Sequence, residues 1–340
     1  APAAAAGVPV QVAKAGVADV PVMLSNIGAV QAYNSVLVRA RVDGTLEQVL
    51  FNEGQDVTKG QLLAIIDPRP YAAVLAQALA KQAADTAMLA SAKKDLTRFS
   101  NLARDKFATA QSVDQQTAQV GQDTANIQGD AAAIAAARLN LDFTQIKAPI
   151  TGRAGLRLVD AGNLIHASDL TGIVTIDQIH PIAVLFSLPQ DDLPQVQTAM
   201  HAGTLPVSAF SSDGKTRLGQ GTLLTIGDAV DPATGTFKLK ARFPNTHDRL
   251  WPGQFVNVQM QVGTIKGAVT VPSAVVQRGP DGLYAYVVGS DARASRRTVL
   301  VRQDNGTVAV IASGISAGET VVVNGQSRLT DGSRVAAAGA

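Results

Sequence analysis

The segment Val42–Asp67, VDGTLEQVLFNEGQDVTKGQLLAIID, decides the fold of this chain. Its short runs of alternating apolar residues are separated by Gly44, Gly54 and Gly60, a pattern that predicts β-strands joined by tight turns. Glycine suits such turns because it adopts a positive φ at little cost. We interpret the segment as half of a small β-domain, so the other half must lie elsewhere in the chain.

A second segment, Ala148–Asp177, repeats the first at a constant offset of 108 residues. It reads APITGRAGLRLVDAGNLIHASDLTGIVTID, and Gly60 of the first copy meets Ser168 of the second. The matched pairs are Ala40 with Ala148, Gly44 with Gly152, Leu50 with Leu158, Gly54 with Gly162, Val57 with Ile165 and Leu62 with Leu170. Two copies of one half-motif predict a single β-sandwich with pseudo-two-fold symmetry. The predicted turn glycines are Gly44, Gly54, Gly60, Gly152 and Gly162.

The residues between the two copies predict two long helices. Pro70 marks the start of the first helix, because proline is favoured in the first helical turn. The apolar stripe of the first helix is Leu89, Ala92, Leu96, Phe99 and Leu102. The seam of the second helix, at intervals of seven, is Val113, Val120, Ile127, Ile134 and Leu141, with Thr117, Thr124 and Ala131 four residues on. This repeat predicts a coiled-coil hairpin, each helix roughly 50 Å long at ~1.5 Å per residue.

We expect the chain to reverse near Asp105–Thr109. Two residues are candidates for the N-cap of the second helix. Ser112, with Gln115 three residues later, matches a capping box, and Thr109 is the alternative. A helical pair of this length cannot bury itself against one small β-domain. It must therefore meet other copies of the chain or a partner.

From Ile182 onward the alternating pattern predicts β-structure. The spacing of these strands indicates a six-stranded barrel, completed by a strand from Val20–Ala32, with one short helix inside Leu188–Gly203. A further β-rich module spans Ala268–Val335 and is joined by Val8–Lys14.

Composition excludes several functional classes. A net charge of +2 does not favour nucleic acid as a partner, and the absence of cysteine rules out a thiol nucleophile or a thiolate metal site. No apolar run approaches the ~18 residues of a membrane span. No phosphate loop is present, and the histidines have no metal-ligand spacing. We therefore expect no enzymatic activity, cofactor or metal.

Five segments around the helical hairpin resemble the periplasmic adaptor, or membrane fusion, proteins of resistance-nodulation-division (RND) multidrug efflux pumps. They are VDGTLEQVLFNEGQDVTKGQLLAIID, LNLDFTQIKAPITGRAGLRLVDAGNLI, TGIVTIDQIHPIAVLFSLP, VDPATGTFKLKARFPN and LWPGQFVNV. The resemblance covers nearly the whole chain. It implies a mixed, mainly β fold with a long α-helical coiled-coil hairpin, in an elongated multi-module chain.

The repeat and the resemblance together predict four modules. They are a split lipoyl/biotinyl-like β-sandwich (37–67 and 147–176), an α-helical hairpin (68–146), a β-barrel (20–36 and 177–262) and a membrane-proximal β-domain (1–19 and 263–340).

The resemblance also implies a function and a contact site. Such an adaptor joins an inner-membrane, proton-driven RND transporter to a TolC-like outer-membrane channel, in the periplasm and associated with the inner membrane, commonly as six copies around the pump axis. The family pattern at the hairpin tip is Arg, Leu four residues on, and Ser seven further. Arg98 and Leu102 match it, Thr109 stands where the family has Ser, and Asp114 matches an acidic position that often follows. The resemblance implies that these four residues contact the channel.

Two alternatives stay open at this point. One is an adaptor for an ATP-driven exporter. The other is a lipoyl/biotinyl cofactor carrier, which needs a lysine on a hairpin between the two half-motifs. Here 68–146 occupies that place, and Lys59 lies inside the first half-motif.

Overall fold

The computed structural model describes residues 7–338, which form a mainly β structure with three α-helices. The chain divides into two compact units. One comprises the N-terminal stretch up to Gly28, Leu185–Ala241 and the chain from Phe255 onward. The other comprises Ala29–Val184 and Arg242–Gln254. Neither unit is contiguous in sequence.

Strands precede and follow the two long helices along the chain. The strands before the helices are β1 (Val8–Lys14), β2 (Gly16–Ala32), β3 (Ser35–Val38), β4 (Gly44–Val49), β5 (Asp56–Val57) and β6 (Leu62–Ile66). The two long helices are α1 (Arg69–Arg104) and α2 (Ala110–Phe143). Next come β7 (Gln145–Lys147), β8 (Gly152–Ala154), β9 (Leu164–Ile165), β10 (Val174–Asp177), β11 (Ile182–Pro189), α3 (Leu193–Ala202), β12 (Pro206–Phe210), β13 (Arg217–Asp231), β14 (Thr236–Phe243) and β15 (Phe255–Pro272). The chain ends with β16 (Gln277–Gly279), β17 (Gly282–Val288), β18 (Arg293–Thr298), β19 (Leu300–Asp304), β20 (Val308–Ser313), β21 (Thr320–Asn324) and β22 (Ser333–Ala338).

Two four-stranded sheets with mirrored strand orders form a β-sandwich, and their strands precede and follow the two long helices in the sequence. One has the order β3-β10-β8-β5 and the other β7-β6-β4-β9. Strands β3 to β6 precede the helices, and β7 to β10 follow as their counterparts. Exchanging each strand for its counterpart converts one order into the other, so the predicted pseudo-two-fold symmetry is confirmed. Because each sheet mixes strands from both halves, neither complete sheet can form from one half alone.

Both halves also contribute to one hydrophobic core. Leu46 and Leu63 from the first half and Val174 and Ile176 from the second are fully buried in it. Burying a large aliphatic side chain contributes about 1.5–3 kcal/mol. The two halves therefore stabilise each other across the intervening helices.

The offset of 108 residues holds as far as β9 and then fails. Val57 and its counterpart Ile165 are both buried. Leu62 begins β6, whereas Leu170 lies before β10 and is 75% exposed. The second copy has extra residues before its last strand, so the predicted match of Leu62 with Leu170 is wrong.

The two long helices have 36 and 34 residues. α1 begins at Arg69, one residue before the predicted start, with Pro70 in its first turn. An ion pair between Lys81 of α1 and Asp130 of α2 joins residues at similar distances from the reversal. The helices therefore run antiparallel.

The largest sheet contains a closed ring of six strands. The order is β12-β13-β14-β11-β2-β15, and β15 pairs back onto β12. The predicted six-stranded barrel is therefore confirmed, although β2 starts at Gly16 rather than Val20. The predicted short helix is α3. The far end of β15 pairs with β20, which pairs with β19.

A second ring contains the N-terminal and C-terminal strands. Strands β17-β18-β22-β1-β21 close through a pairing of β21 with β17, and β16 lies at the edge. β1 pairs antiparallel with β21 and parallel with β22, so the predicted joining of Val8–Lys14 to the C-terminal module is confirmed. Among the described residues, no helix has the length and apolar content needed to cross a bilayer.

Candidate functional site

The four predicted contact residues lie in the segment 98–114, which we call the hairpin end. α1 finishes there in a Schellman motif. The Lys106 N–H donates to the Ala103 carbonyl (3.1 Å), and the Phe107 N–H donates to the Leu102 carbonyl (2.8 Å). Lys106 occupies the left-handed position with a φ of 65°, where glycine is usual. The backbone that leaves α1 is therefore fixed by paired hydrogen bonds.

Thr109 fixes the other side of the loop. It has an extended backbone, and its hydroxyl oxygen accepts a hydrogen bond from the Ser112 N–H (3.2 Å). Of the two caps left open by the sequence, Thr109 is the N-cap of α2. The Thr109 hydroxyl, at the position of the family serine, therefore already accepts a hydrogen bond from the backbone of α2.

Arg98 and Leu102 lie four residues apart on α1, so they share one face of the helix. The Arg98 side chain is 68% exposed and forms an ion pair with Asp95 (3.2 Å). Leu102 is 38% exposed, and Asp114 is exposed near the start of α2. An exposed ion pair of this kind contributes only about 0–1 kcal/mol to stability. Arg98 therefore remains available to a partner.

A regularly spaced set of residues on each helix has reduced exposure, which indicates the face turned toward the other helix. On α1 the set is Tyr71, Leu75, Ala78, Gln82, Asp85, Leu89, Ala92, Leu96, Phe99 and Ala103. Tyr71, at the start of α1, packs against the sandwich core instead. On α2 the set is Val113, Gln116, Val120, Asp123, Ile127, Asp130, Ile134, Ala137 and Leu141. All five predicted seam positions lie in this set, and Ile134 is the most buried of them.

Two predictions about these faces are wrong. Leu102 does not belong to the inward stripe of α1, where Ala103 takes its place. On α2 the predicted companions Thr117, Thr124 and Ala131 are exposed, and the second inward position lies three rather than four residues after each seam residue. A 3-4 alternation keeps both positions on one stripe of a helix with 3.6 residues per turn.

The inward face carries a polar layer. Asp123 and Asp130 are buried, with 6% and 4% of their surface exposed. Asp123 accepts a hydrogen bond from the Gln119 amide (2.8 Å). The Lys81 ammonium donates to Asp130 Oδ1 (2.6 Å) and to Asp85 Oδ2 (2.8 Å). Among the described residues, the second oxygen of Asp130 has no hydrogen-bond partner.

The hydrogen bonds of Lys81 change two pKa values in this layer. Its hydrogen bond to Asp85 lowers the pKa of that carboxyl. The hydrogen bond to Asp130, followed by the one to Asp85, raises the pKa of Lys81 to about 12. The raised pKa keeps Lys81 in its ammonium form near neutral pH.

The predicted turn glycines of the sandwich meet two different requirements. Positive φ angles occur at Gly44 (150°), Gly54 (75°), Gly60 (87°) and Gly162 (95°). Gly152 instead permits a close approach, because a Cβ there would lie 2.5 Å from the Asp177 carbonyl oxygen. Within residues 7–338, no three His, Cys, Asp or Glu side chains are grouped so that they could hold a metal ion.

Three family models match consecutive parts of the chain. Residues 34–177 match the barrel-sandwich hybrid domain of RND membrane fusion proteins (MFPs), 181–264 match the RND MFP β-barrel domain, and 267–328 match the RND MFP C-terminal permuted SH3 domain. The chain belongs to the RND membrane fusion proteins.

Within this family the chain is of the MdtA type. It is 45% identical to multidrug resistance protein MdtA of Erwinia amylovora, over 96% of this chain and 80% of the relative. Identity is 46% to MdtA of Salmonella paratyphi C (96% and 79%) and 41% to MdtA of Pantoea ananatis (96% and 80%). The protein is an adaptor subunit of an RND tripartite efflux pump, so the ATP-driven exporter and cofactor-carrier alternatives are not favoured.

Solved structures share the fold at lower identity. MacA from Actinobacillus actinomycetemcomitans has a TM-score of 0.57 at 18% identity, covering 92% of this chain and 98% of its own. Spr0693 from Streptococcus pneumoniae R6 has a TM-score of 0.56 at 19% identity, covering 72% of this chain and 99% of its own.

Adaptors of RND pumps are periplasmic, non-enzymatic proteins that work with an inner-membrane transporter and an outer-membrane channel.

Sequence reasoning missed two features of the hairpin. Phe107, in the loop, is 82% exposed. Its signal was a large aromatic residue inside the predicted reversal, Asp105–Thr109. The buried carboxylates Asp123 and Asp130 were also missed, although they recur at the same interval of seven as the seam.

Proposed function

We propose that the hairpin end is the surface through which this adaptor contacts a TolC-like outer-membrane channel, with Arg98, Leu102, Thr109 and Asp114 in or beside the contact. The observation that supports this most directly is an exposed Arg–Leu pair on one helical face beside a loop fixed at both ends. A fixed loop loses little conformational freedom on binding, which favours its use in recognition.

Each residue has a distinct role in this proposal. Arg98 presents a planar guanidinium that can donate paired hydrogen bonds to carboxylates or helix-end carbonyls. Leu102 supplies apolar contact next to it. Thr109 acts through the helix cap, so it sets the backbone of the contact rather than its chemistry. Asp114 offers an acceptor on the neighbouring helix.

The helical pair carries the hairpin end as an antiparallel coiled coil in this proposal. The inward residues of both helices follow the 3-4 alternation that coiled coils require. Val113, Val120, Ile127, Ile134 and Leu141 would form the seam of α2. The rod would hold the contact residues about 50 Å from the sandwich, at ~1.5 Å per residue.

The remaining modules complete the adaptor. We assign 37–67 with 147–176 to the sandwich, 68–146 to the hairpin, 20–36 with 177–262 to the barrel and 1–19 with 263–340 to a membrane-proximal domain. The barrel and the membrane-proximal domain would face the RND transporter at the inner membrane. Six copies would surround the pump axis, and no copy would catalyse a reaction.

Charge reversal at Arg98 tests the contact. In cells that depend on this adaptor and its pump, Arg98→Asp should abolish drug efflux, measured as intracellular drug accumulation. Arg98→Lys should give an intermediate result, because the positive charge survives and the planar fork does not. Neither change should alter stability by more than about 0.5 kcal/mol, since Arg98 is exposed.

The matched control is Arg138→Asp, the same charge reversal at an exposed arginine near the other end of α2. It should leave efflux close to that of the wild type. Full efflux from Arg98→Asp, or equal losses from both variants, would contradict the assignment of the contact to the hairpin end.

A further inference from the structure

Phe107 is the most exposed large apolar side chain among the described residues, with 82% of its surface accessible. The chain has nine phenylalanines, and seven of them are buried or half-buried. Only Phe107 and Phe255 remain exposed in the described structure. An exposed phenylalanine adds nothing to the core, so its position in the loop requires another explanation.

The loop backbone holds Phe107 in place. Its N–H donates to the Leu102 carbonyl, and Lys106 before it is fixed in the left-handed conformation. Two residues later, Thr109 caps α2. A Schellman motif is often accompanied by an apolar contact between these two positions, Phe107 and Leu102. The high exposure of Phe107 shows that such a contact covers little of the ring.

The surroundings of Phe107 define the surface that it would fit. Arg104 and Lys106 are exposed close to it in the chain, and Arg98 lies further back on α1. These cations can remain at the rim of a contact while an apolar ring enters a recess. A complementary surface therefore combines an apolar cleft with carboxylate or carbonyl oxygens around its edge.

We propose that Phe107 is the apolar anchor of the hairpin end, inserted into an acceptor-rimmed cleft at the end of the outer-membrane channel. This inference rests on the proposed function and adds to it the residue that supplies most of the buried apolar area. Aromatic anchors that fill a pocket at the centre of a contact commonly dominate binding, while the charged rim sets orientation. A phenylalanine has only two side-chain torsions to fix, so insertion costs little entropy.

The test measures binding of the full-length chain to the purified outer-membrane channel of the same bacterium, immobilised in detergent. Phe107→Ala should weaken the apparent affinity at least about 30-fold, which corresponds to about 2 kcal/mol. Phe107→Trp should bind within a few-fold of the wild type, because it keeps a large aromatic ring. Phe255→Ala is the matched control: it truncates the other exposed phenylalanine, in β15, and should bind like the wild type.

Three results would overturn the inference, and they can be told apart. If Arg98→Asp abolishes binding while Phe107→Ala binds normally, the hairpin end makes the contact but Phe107 is not its anchor. If the wild type does not bind the channel, even with the transporter present, the proposed function fails as well. If Phe107→Ala instead loses binding to phosphatidylethanolamine–phosphatidylglycerol vesicles and retains binding to the channel, Phe107 is a membrane anchor.

Discussion

Truncating Ile134 to alanine tests whether the packing between the two helices stabilises the hairpin. Ile134 is 5% exposed and lies on the inward face of α2. Removing three buried carbons, at ~0.8 kcal/mol each, costs about 2.4 kcal/mol in transfer free energy. The cavity adds to this cost, and the better helix propensity of alanine offsets a few tenths of a kcal/mol. We therefore expect a loss of about 2–4 kcal/mol in the free energy of unfolding of the helices.

Urea unfolding of the full chain, followed by circular dichroism at 222 nm, measures this loss, because α1 and α2 supply most of the helical signal. Leu139→Ala is the matched control, since it removes the same number of carbons five residues away on the same helix. Leu139 is 52% exposed, so its loss should cost about 1 kcal/mol or less. Equal midpoints for the two variants would refute the inward assignment of Ile134 and the register inferred for α2.

Two further predictions concern the sandwich and the polar layer. Gly152→Ala should destabilise the sandwich more than Gly162→Ala, because a Cβ at Gly152 would lie 2.5 Å from the Asp177 backbone. A Cβ at Gly162 would meet open space, so that substitution carries only the cost of a positive φ, about 1–2 kcal/mol. Thermal unfolding of both variants measures the difference, and a larger loss for Gly162→Ala would contradict the prediction. The pKa of Asp85 is lowered, so its contribution to stability is present above the unfolded pKa of 3.8 and is lost as pH falls through the lower folded pKa. The pKa of Lys81 is raised, so its contribution is complete below the unfolded pKa of 10.5 and is lost only as pH rises through about 12. Lys81→Met should therefore lower the melting temperature at pH 7 and lower it less below pH 4, and a difference independent of pH would argue against the ion pairs.

The sandwich could be predicted from sequence because its two halves are copies. The alignment of Gly44 with Gly152 and Gly54 with Gly162 located both halves, and alternating residues located the strands. The alignment failed at Leu170, because extra residues precede β10. Insertions in a loop change spacing without changing the strand pattern, so a constant offset could not reveal this one.

The inward face of α2 was only half predicted. The seam at Val113 and Ile134 was visible because aliphatic residues recur every seven positions. The second inward row contains Gln116, Asp123 and Asp130, and polar residues ordinarily mark a solvent-facing position. Hydrophobic periodicity therefore favoured the wrong neighbours, Thr117 and Thr124. Only the antiparallel partner helix, which brings Lys81 to Asp130, shows why a carboxylate can be buried there.

The polar layer and the loop together fix the register of the hairpin. A shift of one heptad along the partner helix would again place alanine and aliphatic residues on the inward faces, whereas a polar residue on such a face can specify the register of paired helices. Such a shift would separate Lys81 from Asp130 and leave a buried carboxylate unpaired, which is strongly unfavourable. At the other end, the Schellman motif and the Thr109 cap hold the reversal to one geometry. The relative positions of Arg98 on α1 and Asp114 on α2 are thus set by interactions in which neither residue takes part, so the proposed contact surface is arranged before a partner arrives.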